Sequence, residues 1–353
     1  MNYRIYYDDG LSGNPYFKRI IKNAASLSIP AEPMAKYRKG KGNIIISENR
    51  GDFIKKCPGT RDFVCCDYYI IDLIFNCPLG CSYCFLNAYS ESDDIVIYTN
   101  LDRLFEEIRA LENNSILPYR IGTGEYSDSL FFDFLTGYSR DLVEFFSGME
   151  KGILELKTKT AETGRLEDIG DPGSTVISWS LNPERIISSE EGFSAPLSDR
   201  LKAAARCAKK GFMTGFHFDP VVKYPGWEDD YRRVIETLAA AVPAGRIAWI
   251  SLGTLRFSPA WKDTMKKHFK NTSLLYEDFV LCPDGKMRYQ KKIRLDIYGK
   301  MLQYIHDIIG FVPVYLCMEP PYIWKKLPSC GAGKAPGFSF GVRRKGKNNL
   351  LSR

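Results

Sequence analysis

The stretch DYYIIDLIFNCPLGCSYCFLNAY, residues 67–89, joins a run of β-branched and aromatic residues to three closely spaced cysteines. The first half predicts a β-strand. The second half places Cys77, Cys81 and Cys84 in a C-x3-C-x2-C pattern. Structural zinc sites usually use four ligands and disulfides use cysteines in pairs, so three thiols on one loop indicate another kind of site.

The strand in this stretch is the first of six β-rich runs that alternate with amphipathic segments of helical period. This alternation predicts an α/β fold with a parallel sheet and right-handed crossovers. It fits either an open doubly wound sheet or a partial barrel. The runs are DYYIIDLIF (67–75), YRIGTG (119–124), ILELKTK (153–159), TVISWSL (175–181), FMTGFHFD (212–219) and RIAWISLG (246–253).

Three regions are expected along the chain. Residues 1–66 are predicted to form an irregular N-terminal extension that contains a basic loop, KYRKGKGN (36–43). Residues 67–270 carry the βα alternation. Residues 271–353 are predicted to form a C-terminal extension with a basic hairpin (281–292), a helix, a short strand and a basic tail. The hairpin is expected to turn at Asp284-Gly285, a dipeptide that favours tight turns.

The composition of the 353-residue chain is that of a globular protein, with 44% hydrophobic and 26% charged residues. No apolar run approaches the roughly 18–20 residues that a membrane span needs, and the N-terminus lacks the pattern of a signal peptide. We therefore expect a cytoplasmic protein with no membrane partner. Cytosolic thiols stay reduced, so some of the ten cysteines are expected to bind metal or do chemistry. The net charge of +7 permits a polyanionic partner.

The cysteine loop follows the first strand and therefore lies at the carboxyl edge of the sheet, where α/β folds place their sites. Cysteine thiolates are the usual ligands of iron–sulfur clusters. A four-iron cluster held by three cysteines has one iron open for another ligand. Two alternatives are a zinc site completed by a distant cysteine or histidine, and a chance spacing. The chain has only three histidines, which disfavours a mixed zinc site.

The cysteine spacing, with Tyr83 before the last cysteine, resembles that of the radical S-adenosylmethionine enzymes. This resemblance implies a 4Fe-4S cluster whose open iron binds S-adenosylmethionine, a 5′-deoxyadenosyl radical, and a partial (β/α)6 TIM-type barrel. It also implies an electron donor such as flavodoxin or ferredoxin. Further stretches resemble the spore photoproduct lyases, over about residues 57–316, and imply DNA as the partner. They are CSYCFLNAY, SWSLN (178–182), GFHFDPVVKYPGWEDDY (215–231), LRFS (255–258) and the DGKMRY hairpin.

The resemblance also implies a set of residues around S-adenosylmethionine. GTGEYSDS (122–129) is similar to the family's Gly-Gly-Glu motif, and its acid would accept hydrogen bonds from the ammonium group. The other matches would contact the adenine, the ribose and the carboxylate. Each polar side chain among them would also suit a solvent-exposed strand end or turn. The implied cofactor residues are Tyr83, Gly124, Glu125, Ser127, Lys159, Ser180, Asn182 and Asp219.

The hairpin at 281–292 interleaves cations with an aromatic residue, a combination that suits phosphate contacts and base stacking. Lys286, Arg288 and Tyr289 are the candidate substrate contacts, with Lys291 and Lys292 beside them. The alternative is a hairpin whose charges are simply solvated. Arg256 and Trp227 match lyase positions on the substrate side, although a tryptophan here would also suit the core.

Two positions depart from the lyases. Glu125 occupies the place of the cysteine that returns a hydrogen atom to the substrate radical, and Phe85 replaces a relay tyrosine. Glu125, Tyr126 and Asp219 are the candidate catalytic residues, with Tyr126 or a distant cysteine as a substitute donor. Two other functions stay open: a radical enzyme that modifies a peptide, tRNA or small metabolite, and a zinc-stabilised nucleic-acid-binding protein without catalysis.

Five further cysteines lie near the two ends of the βα region and are candidates for a second metal site. They are Cys57, Cys65, Cys66, Cys317 and Cys330. The alternative for them is buried free thiols, which are common. Cys207 falls in a helical pattern and is expected in the core.

Overall fold

The computed structural model describes residues 3–40, 42–59, 63–64, 66–89, 92–275 and 277–327. Its strands are β1 (Arg4–Tyr7), β2 (Ala31–Pro33), β3 (Asn43–Ser47), β4 (Ile54–Lys56), β5 (Tyr69–Ile71), β6 (Ile74–Phe75), β7 (Ile95–Tyr98), β8 (Tyr119–Gly122), β9 (Gly152–Thr158), β10 (Thr175–Ser180), β11 (Met213–Val221), β12 (Ile247–Thr254), β13 (Arg256–Phe257), β14 (Phe279–Leu281), β15 (Met287–Tyr289) and β16 (Val314–Leu316).

The helices lie mostly between these strands, as the periodicity predicts. They are α1 (Pro15–Ser26), α2 (Leu86–Tyr89), α3 (Leu101–Asn114), α4 (Asp133–Thr136), α5 (Tyr138–Phe146), α6 (Gly164–Glu167), α7 (Glu184–Glu190), α8 (Leu197–Lys209), α9 (Trp227–Ala241), α10 (Pro259–His268), α11 (Lys291–Ile308) and α12 (Pro321–Trp324). Cys207 is buried on α8, which confirms its predicted place in the core.

The largest sheet has the order β16-β12-β11-β10-β9-β8-β5-β4. Its strands run parallel except for β4, which pairs antiparallel with β5 at the edge. All six predicted strand runs contribute to it. The sheet is a partial barrel rather than an open doubly wound sheet, so the fold implied by the resemblance is confirmed.

Side chains on the concave face demonstrate the curl. The guanidinium carbon of Arg120, on β8, lies 5.0 Å from the ring centre of Tyr315, on β16. Five strand steps separate β8 from β16, which in a flat sheet would be roughly 24 Å. Glu155 on β9 likewise accepts a hydrogen bond from Trp249 Nε1 on β12, at 3.1 Å. The concave interior is therefore filled with side chains.

The N-terminal residues are not irregular, contrary to the prediction. They form a second sheet of order β2-β1-β3-β7-β6, with α1 packed on it. Ile5, Ile44 and Ile46 are completely buried in this unit. Its strands have only two to five residues, which is too short for a clear alternating pattern.

The predicted strand at 67–75 is divided between the two sheets. Its first half, β5, pairs with β8 in the barrel, whereas its second half, β6, pairs with β7 in the second sheet. Asp72 lies at the break, and its N–H donates to Phe53 O. The cysteine loop therefore begins where the two sheets meet.

The predicted C-terminal hairpin is present and its strands pair with β13 in a small sheet of order β13-β15-β14. Gly285 has a φ of +77°, a value that favours glycine at this turn. The short strand predicted at the end of the chain, β16, returns to the barrel sheet beside β12. In the described ranges no helix combines the length and the hydropathy that crossing a membrane requires.

A substitution at Gly122, the last residue of β8, tests the packing inside the barrel. A Cβ added at Gly122 would lie 2.2 Å from Glu155 O and 2.3 Å from Tyr68 Oη. Gly122→Ala is therefore expected to lower the free energy of unfolding by about 1–3 kcal/mol, measured by urea denaturation. Gly245→Ala is the control, because a Cβ there meets no atom within 4 Å. Equal stabilities of the two variants would contradict this packing.

Candidate active site

The cysteine loop is held by hydrogen bonds at both ends. Asn76 precedes it with a φ of +69°, and its Nδ2 donates to Ser92 O and Asp94 O at 2.9 and 2.6 Å. Asn87 Nδ2 donates to Cys81 O at 2.9 Å at the other end. The loop geometry is therefore fixed by the protein itself.

The three loop thiols share one charged environment. Burial raises the pKa of Cys77 to about 12, and it also raises the pKa values of Cys81 and Cys84. Lys159 opposes this rise at Cys81 and Cys84. Three thiols with raised pKa values need a strongly positive partner to ionise together, and an iron–sulfur cluster would supply one.

The donor set of the loop suits an iron–sulfur cluster in its chemistry. Cys77, Cys81 and Cys84 are thiols, and thiolates are the usual ligands of such clusters. Among the described residues, no three or more Cys, His, Asp or Glu side chains converge on one ion position.

Two neighbouring glutamates at the end of α7, Glu190 and Glu191, hold the middle of the loop. Glu190 accepts hydrogen bonds from Ser82 Oγ, Thr272 Oγ1 and Ser273 N. Glu191 is completely buried and accepts a hydrogen bond from Tyr83 Oη. Its other partners are Asn182 Nδ2, Arg200 Nη2 and Ser194 Oγ, and Lys159 Nζ lies 3.8 Å away.

These bonds change the expected roles of two residues. Asn182 is buried, its Nδ2 donates to Glu191, and its Oδ1 accepts from Tyr231 Oη at 2.7 Å. An amide bonded in this way positions Glu191 and does not suit the predicted ribose contact. Tyr83 is likewise fixed through its hydroxyl, which leaves its backbone for the predicted adenine contact. Ser180 is the last residue of β10, and its carbonyl accepts a hydrogen bond from Arg200 Nη1.

The loop after β8 is bonded to the end of β9. Asp128 accepts hydrogen bonds from Lys159 N and Thr158 Oγ1, both at 2.7 Å. At Gly124 an added Cβ would lie 2.7 Å from Lys157 Cβ, so glycine permits the close approach. The hydroxyl of Ser127 is buried without a hydrogen-bond partner, as expected of a group that awaits a ligand. Gly124, Ser127 and Lys159 therefore fit the predicted cofactor pocket.

The barrel mouth carries opposite charges in pairs. Lys157 Nζ lies 4.0 Å from Glu125 Oε2. Arg256 donates two hydrogen bonds to Asp219, at 2.7 and 3.0 Å, and a weaker one to Cys317 Sγ at 3.5 Å. Burial raises the pKa of Asp219, but Arg256 overcomes this and lowers it. Asp219 is therefore an anchored anion rather than a free acid or base.

Tyr126, the other candidate donor, lies at the edge of this region. Its ring centre is 6.0 Å from that of Phe75, and Lys55 Nζ lies 5.8 Å from it. Burial is the main cause that raises the pKa of Tyr126. The phenol therefore keeps its proton.

The hairpin does not present its residues as predicted. Arg288 is 1% exposed and donates two hydrogen bonds to Asp284. Tyr289 is completely buried, its ring centre lies 4.8 Å from that of Phe279, and its hydroxyl accepts from Lys223 N. The prediction that Tyr289 stacks on a base is wrong, because β15 turns that ring into the core. Trp227 is also buried.

Lys286 alone among the three predicted hairpin contacts points its charge toward the mouth. Burial lowers its pKa, and Arg256 and Arg288 lower it further. The two arginines are paired with Asp219 and Asp284, whereas Nζ of Lys286 has Met318 Sδ at 3.7 Å. Lys286 thus remains the candidate substrate cation, whereas the predicted contact through Arg256 would have to share that side chain with Asp219.

The second metal site gains no support. Cys57, Cys66 and Cys317 do not form a metal-binding group in the part of the chain that the structure describes. Cys65 and Cys330 lie outside the described residues. Cys66 instead accepts a hydrogen bond from Arg120 Nη2 at 3.2 Å.

Known proteins share this architecture. The profile of the spore photoproduct lyase family matches residues 28–301. The chain belongs to the spore photoproduct lyase family. Spore photoproduct lyase from Bacillus subtilis (strain 168) is 26% identical over 246 residues, covering 68% of this chain and 70% of that protein. Spore photoproduct lyase from Geobacillus sp. (strain Y412MC61) is 25% identical over 252 residues, covering 70% and 72%.

Solved structures of spore photoproduct lyase have the same fold. A variant with the dinucleoside spore photoproduct aligns with a TM-score of 0.78 and 21% identity, covering 90% of this chain and 98% of that chain. A variant with bound AdoMet and the dinucleoside spore photoproduct aligns with a TM-score of 0.77. This member of the spore photoproduct lyase family is a radical S-adenosylmethionine enzyme of the lyase type.

Three residues of the site are not predicted by the sequence pattern. Glu191 follows a short helix, and nothing in its neighbourhood marks it as buried. Asp128 lies in the GTGEYSDS stretch without matching an expected contact, and Lys157 lies two residues before the predicted Lys159. The alternation of β9 carries the one available signal: Glu155, Lys157 and Lys159 are two residues apart and so face the same side of a strand.

The buried charge of Glu191 gives a pH-dependent prediction. Burial alone raises its pKa, but Lys159 and Arg200 lower it to about 2, below the roughly 4.3 of an unfolded glutamate. Its stabilising contribution is therefore complete above about pH 4.3 and is lost as the pH falls toward 2. At pH 7, Glu191→Gln is expected to lower the free energy of unfolding by about 3–5 kcal/mol, because Arg200 loses its charge partner.

Urea unfolding at several pH values measures this effect. The difference between wild type and Glu191→Gln is expected to shrink from pH 5 to pH 2. Glu144→Gln, which breaks an exposed pair with Arg140, is the control and should change stability by less than about 0.5 kcal/mol. A Glu191→Gln difference that is the same at pH 7 and pH 3 would show that the loss does not come from the charge.

Proposed function

We propose that this enzyme uses a 4Fe-4S cluster and S-adenosylmethionine to repair a thymine-derived lesion in DNA. The observation that carries the proposal is the three-thiol loop, fixed by Glu190 and Glu191, with Lys159 over the ring of Tyr83 and with the buried, unpartnered hydroxyl of Ser127 on the loop after β8. Cys77, Cys81 and Cys84 would hold the cluster. When bound, the cluster and S-adenosylmethionine supply a carbon radical that abstracts hydrogen from the substrate.

The chain's own residues would orient the cofactor. S-adenosylmethionine carries an ammonium and a carboxylate, and the pocket offers both complementary charges. Lys159, although near Glu191, has its side chain 14% exposed toward the pocket and would pair with the carboxylate. Glu125 and Ser127 would accept from the ammonium. Glu125 is already balanced by Lys157, so this contact would exchange one cationic partner for another.

DNA is proposed as the substrate because of the relatives. Spore photoproduct lyases match over two thirds of this chain, and solved structures of one carry the dinucleoside spore photoproduct. Lys286 at the mouth provides positive charge for a phosphate backbone, because the charge of Arg256 is already balanced by Asp219. An electron donor such as flavodoxin or ferredoxin is proposed to reduce the cluster.

The test is hydrogen transfer from a labelled lesion. With an oligonucleotide that contains deuterated spore photoproduct, the reconstituted enzyme is expected to form 5′-deoxyadenosine that carries deuterium, measured by mass spectrometry. Cys81→Ala should form none while keeping the circular dichroism of the wild type. Deuterium transfer from tRNA or a peptide, and none from the oligonucleotide, would replace the DNA proposal with the alternative function.

The last step needs a hydrogen-atom donor, because Glu125 cannot fill that role. We propose Cys317, at the end of β16, whose Sγ contacts Arg256 and lies against Asp219 inside the mouth. Burial, the largest cause, raises the pKa of Cys317, so the thiol keeps its hydrogen. The S–H bond would break homolytically and a C–H bond would form on the product radical. A small thiol such as dithiothreitol would then return a hydrogen atom to sulfur.

Solvent deuterium identifies this donor. In D2O the thiol exchanges to S–D, so the wild-type thymine product is expected to gain one deuterium. Cys317→Ala is expected to lose this label and most of the repaired product, whereas Cys207→Ala, in the core of α8, should match the wild type. Cys57 also lies near Glu125. Loss of the label in Cys57→Ala, with Cys317→Ala unchanged, would assign the donor to Cys57 instead.

A further inference from the structure

The cysteine loop is flanked on one side by an exposed basic segment. Lys36, Arg38 and Lys39, here called the basic loop, are exposed to solvent. Between them, Tyr37 Oη donates to Asp94 Oδ2 at 2.6 Å. The carbonyl of Asp94 accepts from Asn76, the residue before Cys77. The basic loop is therefore anchored to the same turn that begins the cysteine loop.

Strand register confirms this placement. Ile44, which follows the basic loop, pairs with Ile95, and the next residue of β7, Val96, pairs with Phe75 at the end of β6. The start of β3 and the end of β6 thus lie at the same edge of the second sheet. The basic loop and the cysteine loop leave the sheet from that edge.

A second basic segment lies on the other side of the cysteine loop. The helix α10 begins at Pro259, and Trp261 Nε1 donates to Cys84 O at 2.9 Å. The same helix packs against α2, which directly follows the loop. Its last turn and the residues after it carry Lys266, Lys267 and Lys270, all exposed and here called the α10 cations. Asp263 is the single acid within α10.

Within the described ranges, none of these six cations is paired with a carboxylate. A charged surface of modest size is typical of transient redox encounters, which bury little surface and use charge to orient the partners.

We propose that the basic loop and the α10 cations form the docking surface for an acidic one-electron carrier protein. This inference rests on the proposed function, because only a cluster on this loop needs an external electron. The loop presents Ser82 and Tyr83 to Glu190 and Glu191 on its inner side. The basic loop and α10 are instead anchored at its two ends, through Asp94 and Trp261. The substrate cation Lys286 belongs to the barrel mouth, which leaves the surface with these two segments for the carrier.

Charge reversal tests the surface with flavodoxin, an acidic carrier, as the probe. Binding of flavodoxin to the reconstituted enzyme is measured by calorimetry at two salt concentrations. The K36E/R38E/K39E and K266E/K267E variants are each expected to weaken binding by about tenfold or more at low salt and to flatten its salt dependence. K209E/K210E is the matched control, because these lysines end α8 as Lys266 and Lys267 end α10.

Two reductants separate docking from catalysis. Cleavage of S-adenosylmethionine driven by dithionite is expected to be unchanged in all three variants, whereas cleavage driven by reduced flavodoxin should fall in the two docking variants only. An affinity for flavodoxin that is unchanged in both docking variants would overturn the proposal. So would variants that weaken duplex DNA binding alone, because that result would make the surface a nucleic-acid site. Failure of wild-type cleavage with dithionite would contradict the proposed function, and the binding data would still decide the docking.

Discussion

The site depends on one buried carboxylate. Glu191 has no exposed surface, yet Arg200, Tyr83 and Asn182 all donate to it. Removing a charge from water costs several kcal/mol, so this group is stable only while its donors stay in place. Each donor comes from a different element: the cysteine loop, the end of β10 and α8. The carboxylate therefore joins the loop to the barrel, and the loop has its shape before any cluster binds.

The barrel interior also contains a buried carboxylate that is stabilised by hydrogen-bond donors and a neighbouring cation. Glu155 accepts hydrogen bonds from Ser178, His217 and Trp249, and Arg120 lies 3.7 Å away. Burial raises the pKa of Glu155, but Arg120 and His217 overcome this and lower it strongly. The charges of both buried carboxylates are thus balanced within the protein. At the mouth, Asp219 and Arg256 form another balanced pair. Among the described residues Lys286 forms no ion pair with a carboxylate, and a substrate anion would balance its charge.

Much of this architecture follows from local pattern. The six βα units predicted the barrel, and the cysteine spacing predicted the loop and its place at the carboxyl edge. The second sheet was not predictable, since strands such as RIYY are too short to show a period and depend on pairing across 25 or more residues. Tyr289 illustrates a different limit. Its sequence neighbours are cations, but β15 sends alternate residues to opposite faces, and only the packing of the hairpin decides which face is buried.

Local sequence patterns do not predict the roles of Glu191 and Cys317 either, because each meets a partner that is distant in the chain. Glu191 meets Tyr83, 108 residues earlier in the chain, only in the folded protein. Cys317 comes to the mouth because β16 pairs with β12, more than sixty residues earlier in the chain. Residues of this kind are defined by the closed shape, whereas the cysteine loop is defined by its own spacing.

The burial of Tyr289 has a consequence for how a duplex would be read. The hairpin is pinned by the Tyr289 hydroxyl and by its stack on Phe279, so it has no loose aromatic to wedge between bases. In the proposed reaction on DNA, the nucleotide itself would then have to leave the helix to reach the mouth. That extrusion costs a few kcal/mol for a well-stacked base and less for a distorted one. Damaged and intact DNA would thus be distinguished by the free-energy cost of extruding the nucleotide, while the protein site keeps one shape.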